Sequence, residues 1–279
     1  MEPVGPIETA PLLAPLHAEL MRLLRGLTPL DWDRPTIAGD WKVRDVAAHL
    51  LDSSLRRLSV QRDGHILTPE HPIDGYRDLV GFLNALNADW VRVARRFSPP
   101  VLMDLLDVSG PAVAGLLASL PPHGPAIFSV AWAGEEASEN WFDVGREYTE
   151  WWHHQAQIRE AVGAPPIASR RFLHPVLELS LYGVPVALRG AAAGEGSALA
   201  VRIEGEAGGV WSLVRTGPDW KLWRGEASAP PALTVRMDTD TAWRLFFNAL
   251  PREEARSKIS LAGDPELARR FVESRGVMV

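Results

Sequence analysis

The sequence predicts an α+β protein: a helical first half, then a smaller α+β half with an antiparallel sheet and helices on one side. Three observations carry this. Apolar residues recur every three or four positions through most of residues 8–162, the spacing that lines one face of a helix. Beyond Gly163 and Pro165-Pro166, and one further helical run, the period changes to short alternating or β-branched runs separated by turn residues. Helical spacing then returns near the end. The expected boundary divides residues 1–165 from 166–279.

The elements follow in order. Residues 8–27 bury a stripe of Leu12, Leu13, Leu16, Leu20, Leu23 and Leu24. Residues 42–61 form a second helix with Val43, Val46, Ala47, Leu50, Leu51 and Leu58 inward, Gly39-Asp40 ahead of it and Trp41 across its start. A third, residues 75–96, carries Leu79, Phe82, Leu83, Leu86, Trp90 and Val93, and Pro99-Pro100 ends it. A shorter helical piece is expected through Leu120, then a loop-like region after Pro121-Pro122, then a helix over residues 139–162. Residues 170–188 bridge to the second half. Strands are expected at 199–204, 210–215, 220–224 and 233–237, with turns at Gly208-Gly209 and Gly217-Pro218-Asp219, and helices at 240–250 and 265–274.

Composition narrows the functional classes. The chain has 279 residues, 46% apolar and 23% charged, as in globular proteins. A formal net charge of −6 argues against nucleic-acid binding, which needs a basic face. Cysteine is absent, which excludes disulfides, thiolate metal sites and a protein thiol nucleophile. Any thiol chemistry must bring its sulfur on a small molecule. The start, Met1-Glu2-Pro3-Val4-Gly5-Pro6, lacks the basic and apolar pattern of a secretory signal. The most apolar stretch, residues 179–188, reads as too short to span a bilayer. A cytoplasmic protein without a membrane partner is expected, and a homodimer stays open.

The chemistry concentrates in Arg146-Glu147-Tyr148-Thr149-Glu150-Trp151-Trp152-His153-His154-Gln155. On a helix, Glu150 and His154 stand at i and i+4 and can share one cation. A pair cannot complete a metal site, and the candidate third ligand is His49. The competing readings are a solvated Glu–His pair and a polar, half-exposed His49. His153 is expected to be exposed, and Tyr148 and Trp152 to be packing residues. No Gly-x-Ser-x-Gly elbow, dinucleotide fingerprint, phosphate loop or His-Glu-x-x-His helix occurs.

Gly39-Asp40-Trp41-Lys42-Val43-Arg44-Asp45-Val46-Ala47-Ala48-His49-Leu50 resembles the opening motif of the mycothiol-dependent maleylpyruvate isomerase family, a branch of the DinB-like metal-binding four-helix bundles. Arg146 to Gln155 resembles that family's second motif, where Glu-x-x-x-His replaces the His-x-x-x-His of many DinB-like proteins. The resemblance implies His49, Glu150 and His154 as ligands. The second half is similar to a sterol-carrier-like domain in Leu233-Thr234-Val235-Arg236-Met237-Asp238-Thr239-Asp240-Thr241-Ala242-Trp243 and in Ile259-Ser260-Leu261-Ala262-Gly263-Asp264-Pro265-Glu266-Leu267-Ala268. One departure is Lys42, where a capping Ser or Thr is expected, so Asp40 or water is expected to serve the free N–H groups.

Two imidazoles and a carboxylate suit a divalent ion, zinc first, with nickel, manganese and iron open as well. The resemblance implies a low-molecular-weight thiol such as mycothiol and a small electrophilic substrate. In an isomerisation the thiolate adds to an activated double bond, the resulting single bond rotates, and the thiolate is expelled. In a transfer the sulfur stays attached. Glu147 is read as a neighbour of the ligands or a general base, or else as a surface carboxylate. Arg236 and Arg244 are candidates to clamp a substrate carboxylate, or else surface charges. The non-enzymatic alternative is a metal-binding bundle whose second half binds an apolar ligand or partner.

Overall fold

In the computed structural model, residues 1–69 and 71–274 are described. They form two compact units, one of Glu8–Phe128 with Glu139–Ile167, the other of Met1–Ile7, Ser129–Ser138 and the chain from Ala168 onward.

In the first unit the leucine spacing becomes helix α1 (Ala10–Arg25), which buries Leu13, Leu16, Leu20 and Leu24. Helix α2 (Val43–Arg57) follows and runs on through a turn of π pitch, Leu58–Arg62. Lys42 is its N-cap residue, and the Val43 N–H just beyond it donates to the Arg34 carbonyl at 3.0 Å. The Asp45 carboxylate accepts the Lys42 backbone N–H at 3.1 Å and two further bonds from Arg95. Asp45 is therefore a built-in cap, three residues into the helix.

Helix α3 (Tyr76–Ala94) packs along α2, and helices α4 (Pro99–Ala118) and α5 (Asn140–Val162) complete the unit. Helices α1, α2, α4 and α5 form the four-helix core, with α4 and α5 each touching both α1 and α2. Helix α4 is 20 residues long, where only a shorter piece was expected. Pro99 and Pro100 open it, at positions where a missing N–H costs nothing, and Pro111 lies on its exposed side. It is also the one helix among the described residues long and apolar enough to cross a membrane, a stretch that the composition reading passed over for 179–188. Its buried side, Leu102, Leu106, Val113 and Leu117, packs in the core. At Gly110 a Cβ would overlap the His17 ring, so glycine lets that imidazole sit between α1 and α4. Helix α5 ends where Gly163 turns left-handed at φ 69° and its N–H reaches the carbonyls of Arg159 and Glu160.

The second unit contains helices α6 (Arg170–Ser180), α7 (Val184–Ala187), α8 (Thr239–Phe246), α9 (Arg252–Lys258) and α10 (Pro265–Glu273). Its strands are β1 (Glu2–Pro3), β2 (Ala198–Glu204), β3 (Gly209–Thr216), β4 (Asp219–Arg224), β5 (Leu233–Asp238) and β6 (Ser260–Gly263). Their order is β1-β4-β3-β2-β5-β6. The expected antiparallel sheet needs one correction: β5 runs parallel to β2, with Leu199 beside Leu233 and Val201 beside Val235. After the β3–β4 hairpin the chain crosses back before starting β5, and alternation within a strand carries no information about that return. Alternation does fix the faces. Leu199, Val201, Ile203, Leu213, Leu222, Leu233, Val235 and Met237 are buried, and α7, α8 and α10 pack against these strands.

Gly217, at φ 60°, supplies the positive-φ first position of the expected β3–β4 turn. Asp238 caps α8 by accepting the Thr241 N–H, and Asp264 caps α10 by accepting those of Glu266 and Leu267. The helix expected at 240–250 stops at Phe246, and Asn248 adopts φ 54° before Pro251. Helix α9 and edge strand β6 were not anticipated, being too short to show a period.

Candidate metal centre

Helix α2 supplies His49, and α5 supplies Glu150 and His154. One ligand atom from each of the three lies within 4.8 Å of the other two. Glu150 Oε2 is 3.3 Å from His154 Nε2. The His49 and His154 rings meet nearly edge to face, centroids 4.6 Å apart, and the Trp41 ring lies 5.1 Å from His49. His49 and His154 are buried, and Glu150 is partly open. The half-exposed alternative for His49 does not hold.

Burial holds the His49 pKa well below the usual imidazole range, and the charges of His154, Arg56 and His153 push the same way. A neutral imidazole has a lone pair to offer a metal. The His49 Nδ1 is buried without a hydrogen-bond partner. Such an atom costs free energy until something binds it. Two imidazoles, one carboxylate and an unsatisfied ring nitrogen fit a divalent cation.

Glu147 is outside this cluster and is not a surface carboxylate. It belongs to a buried ion network on the same α2–α5 seam. Arg57 bonds Asp143 through both terminal nitrogens, at 2.8 and 3.0 Å, and Glu147 at 3.2 Å. Arg146 bonds Asp143 and Glu147, and the Trp151 indole N–H donates to the second Glu147 oxygen at 3.2 Å. Phe128 lies under both guanidinium groups. Burial pushes the Asp143 carboxyl up, yet the charges and hydrogen bonds of Arg146 and Arg57 outweigh it and leave the pKa lowered. Sequence reasoning missed this network; seven- and eight-residue offsets from Glu150 and His49 to Asp143 and Arg57 were the available signal.

His153 was expected to be exposed and is buried. Its pKa is held well below the usual range by burial and then by His154. The wheel reading gave α5 one apolar stripe, whereas this helix is buried around most of its circumference, polar residues included. Gln155 satisfies itself on the Leu16 carbonyl, and Gln157 on His153 and His154. Tyr148 and Trp152 are packing residues as expected, with the Trp152 indole donating to the Ile167 carbonyl. Arg236 and Arg244 belong to the other unit. Arg236 is exposed on β5, while Arg244 pairs with Asp240 and stacks over Trp243.

Residues 13–159 match the family described as the mycothiol maleylpyruvate isomerase N-terminal domain. No curated protein sequence matches the chain. A crystal structure of the mycothiol-dependent maleylpyruvate isomerase is similar over 85% of this chain and 87% of that one, at 11% identity and a TM-score of 0.52. A histidine-to-alanine mutant of that enzyme is similar over 93% and 94%, at 13% identity and a TM-score of 0.54. At these identities the likeness shows the fold alone. A ubiquinone synthesis protein with an SCP2 domain covers 37% of this chain and 83% of its own, at 19% identity, but its TM-score of 0.23 carries no argument.

Proposed function

We propose, from the premise that this chain belongs to the mycothiol maleylpyruvate isomerase N-terminal domain family, that His49, Glu150 and His154 hold one divalent cation and serve a reaction between a low-molecular-weight thiol and a small electrophile. One observation supports it above the others: ligand atoms from helices about a hundred residues apart in sequence converge within 4.8 Å, and one of those ligands keeps a buried nitrogen unsatisfied. Zinc suits the donor set best, and nickel, manganese and iron also take it.

Three protein ligands leave a coordination position open, and a cation bound there would supply the Lewis acidity that keeps a thiol as thiolate at neutral pH. The chain's own residues do the rest. His49, kept neutral by its burial, and His154 offer ring nitrogens, and Glu150 offsets part of the cation's charge. Glu147, held from two sides by arginines, keeps α5 seated against α2 and so sets where Glu150 stands one turn on. With both its oxygens engaged, Glu147 is a positioning group in this reading rather than the base. Arg236 and Arg244 are proposed to grip the substrate carboxylate, and the sheet-bearing half to act as a sterol-carrier-like domain.

Isomerisation of maleylpyruvate-like substrates comes first and thiol transfer second, because the family's description names the isomerase. Elemental analysis of the purified protein tests the metal: one equivalent is expected, and His49→Ala and His154→Ala should each lose it. After cobalt substitution, mycothiol should alter the visible ligand-field spectrum. Unchanged metal content in both variants would remove the triad, and a spectrum indifferent to thiol would remove the thiol chemistry.

A further inference from the structure

Gln157 stands one turn beyond the histidine pair of α5, at i+4 from His153 and i+3 from His154. Its buried amide reaches both rings. Oε1 lies 2.9 Å from His154 Nδ1, and Nε2 lies 3.0 Å from His153 Nε2. An amide oxygen only accepts and an amide nitrogen only donates. Oε1 therefore requires a proton on His154 Nδ1, and Nε2 requires a lone pair on His153 Nε2. A neutral His154 with its proton on Nδ1 turns the Nε2 lone pair toward Glu150 Oε2, 3.3 Å away. Two acceptors facing each other at that distance repel until a metal ion or a proton lies between them.

We propose that Gln157 is a positioning residue that fixes the tautomer of His154, holding its proton on Nδ1 and leaving Nε2 free to ligate a metal ion, with His153 anchoring the amide. The proposal rests on the metal-site reading above. The opposite setting of the amide would close the site. Turned over, its nitrogen donates to His154 Nδ1 and its oxygen accepts a proton from His153 Nε2. His154 then carries its proton on Nε2, donates it to Glu150, and cannot ligate through that atom. The amide thus has one setting that prepares the site for a cation and one that closes it. The observed setting, with Nε2 on His153 and Oε1 on His154, is the one that leaves the ligating nitrogen free. Groups of this kind orient ligating imidazoles in known metal sites, where removing one typically lowers metal affinity by about 10–100-fold.

The test compares the full chain with Gln157→Leu and Gln157→Glu variants. Zinc affinity is read by competition with a chromophoric chelator. The His154 tautomer is read from long-range proton–nitrogen spectra of histidine-labelled protein, both zinc-loaded and metal-free. Leucine removes the acceptor, so zinc affinity should fall about 10–100-fold and His154 should lose its uniform Nδ1–H signature. Glutamate keeps an acceptor for Nδ1–H, so that variant should keep the native tautomer and most of the affinity. A merely structural role would lower the melting temperature of both variants and leave the tautomer alone. Native affinity and an unchanged His154 tautomer in Gln157→Leu would overturn the proposal while leaving the metal site standing. If the native protein binds no zinc, the metal-site reading falls, and the metal-free spectra decide the tautomer claim by themselves. Nε2–H on native metal-free His154 would overturn it.

Discussion

Replacing Arg57 with Met should destabilise the helical unit by about 3–5 kcal/mol, the cost of leaving one partner of a buried ion pair uncompensated. The magnitude follows from the accounting around that side chain. Arg57 is 2% exposed, Asp143 fully buried and Glu147 6% exposed. Two guanidinium groups, Arg57 and Arg146, face two carboxylates, and the set is neutral. Without Arg57 one negative charge stays buried in excess, with Glu150 a turn away. Counting three lost charge-assisted hydrogen bonds at about 1.5–3 kcal/mol each would give more. That sum overstates the loss, because Arg146 still serves both carboxylates and one of them can take up a proton.

The proton sets the pH dependence. The native Asp143 pKa is lowered, so its contribution is present above the unfolded value of about 3.9 and is lost as pH falls through the folded one. In the variant the carboxylate pKa rises, so the deficit should narrow as pH falls from 7 toward 4. Urea unfolding followed by far-ultraviolet circular dichroism at several pH values measures both. The double variant Arg57→Met with Asp143→Leu should recover most of the loss, since an apolar pair of similar volume replaces buried charges at little cost. A loss below about 1 kcal/mol at pH 7, the range of an exposed ion pair, would refute the reasoning, as would a double variant less stable than the single one.

Glu150→Gln should abolish stoichiometric metal binding, whereas Glu147→Gln should retain the metal and lower the unfolding midpoint; elemental analysis beside thermal denaturation separates them, and the reverse pattern would exchange their roles. The His17 pKa is lowered, first by burial, with Asp107 raising it and Arg25 lowering it. Between that value and about 6.5 the unfolded chain binds the extra proton, so stability should fall as pH drops below about 6.5, and His17→Gln should flatten that slope in pH-dependent urea melts. Asp45→Ala removes the carboxylate that caps Lys42 and pairs with Arg95. It should cost about 1 kcal/mol, mostly through the cap, because Arg95 is half exposed, and an unchanged urea midpoint would count against the cap.

Legibility in the sequence followed the physics of each element. Helices α1, α2, α3 and α5 appeared within a few residues of their limits; α1, α2 and α5 bury enough apolar side chains for the period to register, and α3 shows the period although its stripe of Leu79, Phe82, Leu83, Leu86, Trp90 and Val93 is only half-buried. Strands β2 to β5 appeared because one face of their sheet is buried and the other is not. Helix α4 was underestimated, as Pro111 and its glycines mask a helix that tertiary packing supports. The i and i+4 pairing of Glu150 with His154 is a property of one helix, so it could be read locally.

By itself the sequence determined the two-part α+β class, most of the elements, and the residues from which a metal site could be built. The tertiary structure decided which of them meet. It brought His49 from α2 to within reach of α5, took Glu147 into the arginine network, buried His153, and ran β5 parallel to β2. The reason is that a helical wheel or a strand alternation records only the contrast between two sides of one element. A helix enclosed on most sides, or a strand reached by a long return, depends on neighbours far along the chain, and no local period carries their positions.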